Sequence, residues 1–412
     1  MIANADSRAQ NGVLIHRHPQ REVRIRESAE RAPSALYIQT LDSCEAVLRH
    51  RELWNWPGTR DSDLDYFLYF ARTRTEVLRP HVLVATRGET PEALLIGKLE
   101  FRRIPLQFGR FEFRSLQLRV LTFVYGGLRG CAASDTTETL VAEVLSTLRD
   151  GHADVAVFEP VALNSQLFSV LKSMSTTFGH GLHCVVQNHY RLQLPQTSQA
   201  LQELLSSKQR RNYLRKCRKF IKDFGGDVLC RWHTSPSPGL YQDLEFVAAR
   251  SHQRPLGVGF EGTAELHAWW QFASSKGWLR ACILYAGGRP CAFWTGIVHT
   301  GTLWGDYMAY DRELAPYSPG MQLLLRSLGE ICDNPEQHGI REFNLGPGDS
   351  DLKALLSSSR KQESSIYLYP PTLQGALLNV MFSTVFLADD SARKWLARGS
   401  FLGGVARRLW RS

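Results

Sequence analysis

The order three strands, helix, strand, helix, strand can be read twice along this chain, and that repeat limits the fold more than any other feature. In the first half, strand-like segments rich in branched and aromatic residues cover 81–86, 92–104 and 116–125. The spacing of apolar residues at 140, 141, 144, 145 and 148 predicts a helix over 136–151, closed by Gly151. A buried strand (153–161), a helix (164–174) and a strand (183–194) follow. Pro195 and the polar run QTSQ mark a boundary. Beyond it, helical regions at 198–224 and 238–252 flank a strand at 227–234, and a further helix covers 263–276. The second half then shows strands at 278–288, 289–299 and 302–311, joined by Gly287-Gly288 and His299-Thr300-Gly301 turns. A helix from Ser318, a strand (340–346), a short helix (350–357) and a strand (363–370) complete the same order. Two halves with one order and little shared sequence predict an internal duplication of an α/β unit, each half a mixed, mostly antiparallel sheet flanked by helices.

The 412 residues suit two domains, expected at 34–195 and 196–371. Residues 1–33 are polar and arginine-rich and read as a flexible basic arm; residues 372–412 read as a basic amphipathic tail. A helical tail of this kind packs its apolar side on the domain or lies on an anionic membrane surface. No stretch approaches the ~20 apolar residues of a membrane span, and no apolar signal region follows the first charges. The eight cysteines contain no C-x-x-C pair and read as reduced thiols in a cytoplasmic protein, with no metal-ligand spacing. The net charge of +9 favours anionic partners: phosphorylated cofactors, nucleic acid or an acidic membrane face.

Four segments carry a resemblance: KQRRNYLRKCRKF (208–220), RACILYAGGRPCAFWTGIV (280–298), YDRELAPYSPGMQLL (310–324) and GIREFNLGPGDSDLK (339–353). With the order of elements, they resemble the GNAT acyltransferases, in particular the BioF-like, cellulose-biosynthesis-type branch related to the Fem-type ligases. The resemblance spans roughly 34–371 and is most specific over 278–355. It implies tandem GNAT-like domains and acyl transfer from acetyl-CoA or another acyl-CoA to an amine or hydroxyl. The acceptors it implies are small molecules or precursors in polysaccharide biosynthesis. The chain departs from the pattern in places. Ala315 and Ser318 stand where GNAT enzymes carry Gln/Arg and Gly, Asn344 where the branch carries Asp, and Leu352 where it carries Tyr. The last departure leaves the proton donor for the leaving thiolate unassigned. Two rivals stay open: a Fem-like transferase using aminoacyl-tRNA, and a non-catalytic GNAT-fold binding protein.

The helix beginning Ser318-Pro319-Gly320 has the chemistry of an anion site. A helix start offers free N–H groups and the positive end of the dipole, and glycine at its second position costs roughly 1 kcal/mol against alanine. A pyrophosphate resting on the N–H groups of Gly320, Met321 and Gln322, beside Ser318, would account for that glycine. A plain capped helix packing Met321, Leu324, Leu325 and Leu328 is the other reading. Asp349 and Lys353, four apart at the start of a short helix, read as an ion pair or as groups facing phosphate or acceptor. On the wheel of helix 208–224, Arg210 falls on the apolar side, so it needs an anionic or carbonyl partner, from a ligand or from the chain. Acyl transfer needs a base. Asp306 in strand 302–311 is the first candidate and His252 the second, while Tyr310 is expected to share a strand face with Asp306.

Overall fold

In the computed structural model, which describes residues 35–108, 111–130, 133–178, 182–257 and 259–398, both halves form one sheet. β1 (Leu36–Leu41), α1 (Cys44–Arg49) and α2 (Leu64–Thr73) precede the antiparallel run β2 (Val77–Arg87), β3 (Thr90–Phe108) and β4 (Phe111–Gly130). α3 (Ser134–Arg149), β5 (Val155–Ala162), α4 (Gln166–Phe178) and β6 (Leu182–Gln193) end the first half. The second half begins with α5 (Ser198–Glu203), α6 (Ser207–Asp223), β7 (Val228–His233), α7 (Pro238–Arg250) and α8 (Ala264–Ser275). It continues with β8 (Leu279–Ala286), β9 (Arg289–His299), β10 (Thr302–Tyr310), α9 (Pro319–Asp333), α10 (Pro335–His338), β11 (Glu342–Pro347), α11 (Asp351–Leu356), β12 (Ser359–Leu368) and α12 (Leu373–Arg398).

The duplicated order is present: β2–β3–β4–α3–β5–α4–β6 is repeated by β8–β9–β10–α9–β11–α11–β12. Residues 36–73 were expected inside the first domain without assigned elements; they form β1, α1 and α2 ahead of the first repeat. The helical region 198–224 is two helices, because Ser206 and Gln209 form a capping box that starts α6 afresh. The basic arm lies outside the described residues.

The sheet order is β1-β2-β3-β4-β5-β12-β6-β11-β10-β9-β8-β7. The last strands of the two repeats are exchanged: β12 pairs with β5, β6 with β11, and both with each other. The sheet therefore runs without a break past the border expected at residue 195. A first half cut there would lose β12, the neighbour of its own β5. Only β4–β5 and β10–β11 are parallel pairs among the described strands, and both are short. β4 and β5 pair over Val120–Phe123 and Val155–Phe158; β10 and β11 pair over Thr302–Trp304 and Glu342–Asn344. Each pair then parts toward its carboxyl ends, where open α/β sheets bind ligands.

Separate apolar clusters hold the helices. α3 and α4 pack Leu140, Val144 and Leu171 against β4 and β5. In the second half, α6 and α9 cover one face through Phe220, Leu324 and Leu328, while α7 and α8 cover the other through Leu244 and Trp270. α12 seats Leu378 and Phe382 against Val120 and Val157 and leaves Leu373, Leu377, Val380 and Leu387 exposed. α12 thus packs on the sheet and also presents a second apolar face, while residues 399–412, with Arg407, Arg408 and Arg411, lie outside the described residues. No helix among the described residues is long and apolar enough to cross a membrane.

Candidate active site

The parting of β10 from β11 is built into both strands. β10 carries a bulge between Gly305 and Tyr307, and β11 shifts register against β6 between Asn344 and Gly346. A bulge adds an unpaired residue and bends its strand, and these two face each other directly beyond the last pair, Trp304 with Asn344. The β10 bulge also corrects the expected alternation. Asp306 meets Arg60, whose guanidinium lies over the rings of Trp304 and Tyr66 on the α7–α8 face. Tyr310 instead packs into the α6–α9 cluster. The two do not share a face, because the extra residue resets the parity between them.

Asp306 accepts a 3.5 Å contact from Arg60 Nη1, and its side chain is 25% exposed. Burial pushes its carboxyl up to about 6, against the opposing pull of Arg60. That value suits a base working near neutrality. Arg60 also bonds Asp61 at 3.2 Å. His252 is exposed, its ring centroid 5.7 Å from that of Tyr310, and Tyr310 in turn lies against Gly320. The structure thus gathers His252, Tyr310 and Gly320 at the carboxyl end of β10, with Asp306 on the other side of the strand.

At the start of α9, Ser318 has a left-handed backbone (φ 53°) and its side chain caps nothing. Its hydroxyl accepts instead from Lys216 Nζ at 2.6 Å. Lys216, on α6, escaped the sequence reading; it lies 60° from Tyr213 on the helical wheel, at the flank of the apolar stripe. The expected trio of N–H groups is reduced to two. Gln322 N donates to the Ser318 carbonyl at 3.1 Å, and its buried amide braces the Tyr317 carbonyl at 2.9 Å. Gln322 therefore shapes the loop, while among the described residues the N–H groups of Gly320 and Met321 have no acceptor.

Three other candidate residues have these surroundings. Asp349 precedes the first turn of α11, so no helical pair with Lys353 forms. It accepts from Tyr190 Oη at 2.6 Å and Asn188 Nδ2 at 2.8 Å, and these bonds hold its carboxyl below the usual range. Lys353 Nζ donates to the Pro347 carbonyl, and burial lowers the ammonium's pKa. Arg210 stays on α6, half-buried; its backbone N–H donates to the Ser206 carbonyl at 2.9 Å, and its guanidinium has no partner among the described residues.

Behind the parting lies a polar core that sequence reading missed. His189 bridges Glu363 Oε2 and Asn344 Oδ1, both at 2.7 Å, and Asn344 Oδ1 also accepts from Gly346 N at 2.8 Å. Tyr125 stacks on His189, donates to Glu363 at 3.0 Å and accepts from Arg191 at 2.8 Å. The only local sign was polar His189 and Arg191 alternating inside a strand that both halves cover. Around this throat three buried donors have no acceptor among the described residues: Arg60 Nε, Trp304 Nε1 and Asn344 Nδ2. Unpaired buried donors are rare and call for an explanation.

Residues 207–354 match the family model of the acetyltransferase (GNAT) domain. That match carries the activity class, acyltransferase, and covers β10, α9 and β11. Among solved structures, FemX is 7% identical over 80% of this chain and 96% of its own, with a TM-score of 0.51. A tandem GNAT protein from the clavulanic acid biosynthesis pathway is 11% identical over 82% of this chain and 100% of its own, at 0.47. L-PGS from Bacillus licheniformis is 14% identical over 82% of this chain and 95% of its own, at 0.45. At such identities the likeness to FemX is one of fold. No curated protein matches the sequence. No group of three or more His, Cys, Asp or Glu among the described residues is arranged to hold a metal ion.

Proposed function

We propose that the second half transfers an acyl group from an acyl-CoA to an amine or hydroxyl, at the parting of β10 and β11. The observation that carries this reading is the trio of unpaired buried donors at the throat, Arg60 Nε, Trp304 Nε1 and Asn344 Nδ2. Donors of this kind suit the carbonyl oxygens of a thioester and its arm. The free N–H groups of Gly320 and Met321, with Lys216 beside them, would take the pyrophosphate. Asp306 accepts the proton of the attacking amine or hydroxyl, whose nitrogen or oxygen bonds to the thioester carbonyl carbon. The C–S bond breaks, and the departing thiolate takes a proton, for which the Tyr310 hydroxyl is our assigned source. The acceptor, following the resemblance, is a sugar, a polysaccharide precursor or another small amine or hydroxyl compound.

Calorimetric titration with acetyl-CoA and longer acyl-CoAs tests the reading. Saturable one-to-one binding is expected, weakened by Lys216→Ala; no binding of any acyl-CoA would refute it. A second reading, an aminoacyl-tRNA donor, is favoured by the exposed row Arg211, Arg215, Arg218 and Lys222 on α6. It requires tRNA binding that weakens steeply with salt, because phosphate contacts release counterions.

A further inference from the structure

The first half has a parting of its own. Beyond Phe123 and Phe158, where β4 and β5 stop pairing, a cavity of about 290 Å³ opens between the strands. That is near the lower end of small-molecule sites, about 300–1,000 Å³. Its floor is apolar: Leu95, Phe123, Phe158, Val161 and Leu167 belong to the first-half core. Its rim carries Arg191 and Lys361 beside two carboxylates that are already paired, Glu159 with Arg102 and Glu363 with His189 and Tyr125. Arg191 itself is held by Glu342 and Tyr125, which leaves Lys361 as the cation open to an anion. Lys361 is exposed and makes no ion pair among the described residues.

This wedge is not a second pyrophosphate site. The start of α3 is already occupied by carboxylates: Arg87 bridges Glu92 and Asp135 at 2.6 Å each, and Thr136 Oγ1 donates to Glu92 at 2.9 Å. Negative side chains at a helix start satisfy its dipole and repel a further anion. The mouth of the wedge instead reaches the candidate base. Thr59 lines it and donates to the Tyr125 carbonyl at 2.6 Å, and the next residue, Arg60, holds Asp306. The ring of Tyr125, also in the lining, meets that of Trp304 at 6.0 Å. A ligand in the wedge would therefore approach Asp306 from the first-half side, leaving the α9 side to the acyl donor.

We propose that the first-half wedge holds the acceptor by an apolar arm, with an anionic group of that acceptor, carboxylate or phosphate, at Lys361. The proposal rests on Asp306 being the base of the reaction above. It makes the acceptor an amphiphile, with its nucleophile directed toward Arg60 and Asp306.

Titration calorimetry on the full chain without acyl-CoA tests it, using decanoate, decyl phosphate and decanol below their micelle concentrations. One-to-one binding of an anionic probe, at least about tenfold tighter than decanol, is expected, and the tighter of the two anions names the head group. Ala162→Phe, which fills the wedge, is expected to abolish binding with the melting temperature and acyl-CoA binding retained. Lys361→Ala, at an exposed position, is expected to reduce the anions to the level of decanol. No binding by any probe, or binding indifferent to both substitutions, overturns the proposal. Acyl-CoA binding with an empty wedge overturns the acceptor class alone; wedge binding without acyl-CoA binding overturns the proposed function instead.

Discussion

The ring of Tyr310 occupies the space that a side chain on Gly320 would need: a Cβ placed there would lie 3.3 Å from Tyr310 Cδ1. The glycine thus lets the end of β10 close against the start of α9, rather than clearing room for an anion directly. Gly320→Val is expected to lower stability by about 1–3 kcal/mol through overpacking and to weaken acyl-CoA binding by displacing the helix start. In a Tyr310→Ala background most of that stability loss is expected to vanish. Denaturant unfolding of the four proteins checks the coupling, which for touching residues runs at about 0.5–3 kcal/mol. Strictly additive effects would show that the ring is not what excludes the side chain.

Lys216 holds the Ser318 hydroxyl beside two free N–H groups. Lys216→Met keeps the aliphatic stem and removes the charge. Acyl-CoA affinity is expected to fall about tenfold, near 1.4 kcal/mol, with a shallower salt dependence and little change in melting temperature. Unchanged affinity would remove Lys216 from the phosphate site.

What could be read in the sequence was local. The order of elements, the α9 start and the hairpin turns at Gly287-Gly288 and Thr300-Gly301 follow from periodicity and turn chemistry, and the structure contains them. The site was legible only in part. Asp306 and Tyr310 could be named as candidates, but their relation could not be read, because a bulge leaves no mark on strict alternation. Arg60 meets Asp306 across 246 residues, and His189 meets Glu363 across 174, contacts that no window of sequence contains. The strand exchange is of the same kind: β5 cannot announce that its neighbour is β12.

That exchange makes the halves depend on each other. Separate chains ending and beginning at residue 195 would leave β5 without β12 and separate β6 from both β11 and β12. Neither fragment is expected to unfold cooperatively alone, and the full chain is expected to melt in one transition. Calorimetry on the fragments and on the whole checks this. Two independent transitions, or a stably folded 34–195 fragment, would show that the exchanged strands are dispensable.

Asp306 ties the candidate chemistry to pH with a definite sign. Burial raises its carboxyl from the ordinary 3.8 to about 6. Between those values the folded protein holds a proton that the unfolded chain has lost. The stabilising contribution of this group is therefore complete below about pH 4 and is lost as pH rises through 6. Activity has the opposite slope, since only the carboxylate accepts a proton: kcat/KM is expected to climb through about pH 6 and then level. Arg60 opposes the shift, so Arg60→Ala should move that limb upward. Asp306→Asn should cost roughly 10²–10⁴-fold in kcat/KM while raising stability relative to the natural chain above pH 6 and not near pH 4. Parallel pH titrations of turnover and of unfolding separate a base from a bystander. An acidic limb that survives Asp306→Asn would assign the proton to another group, with His252, beside Tyr310, the next to test.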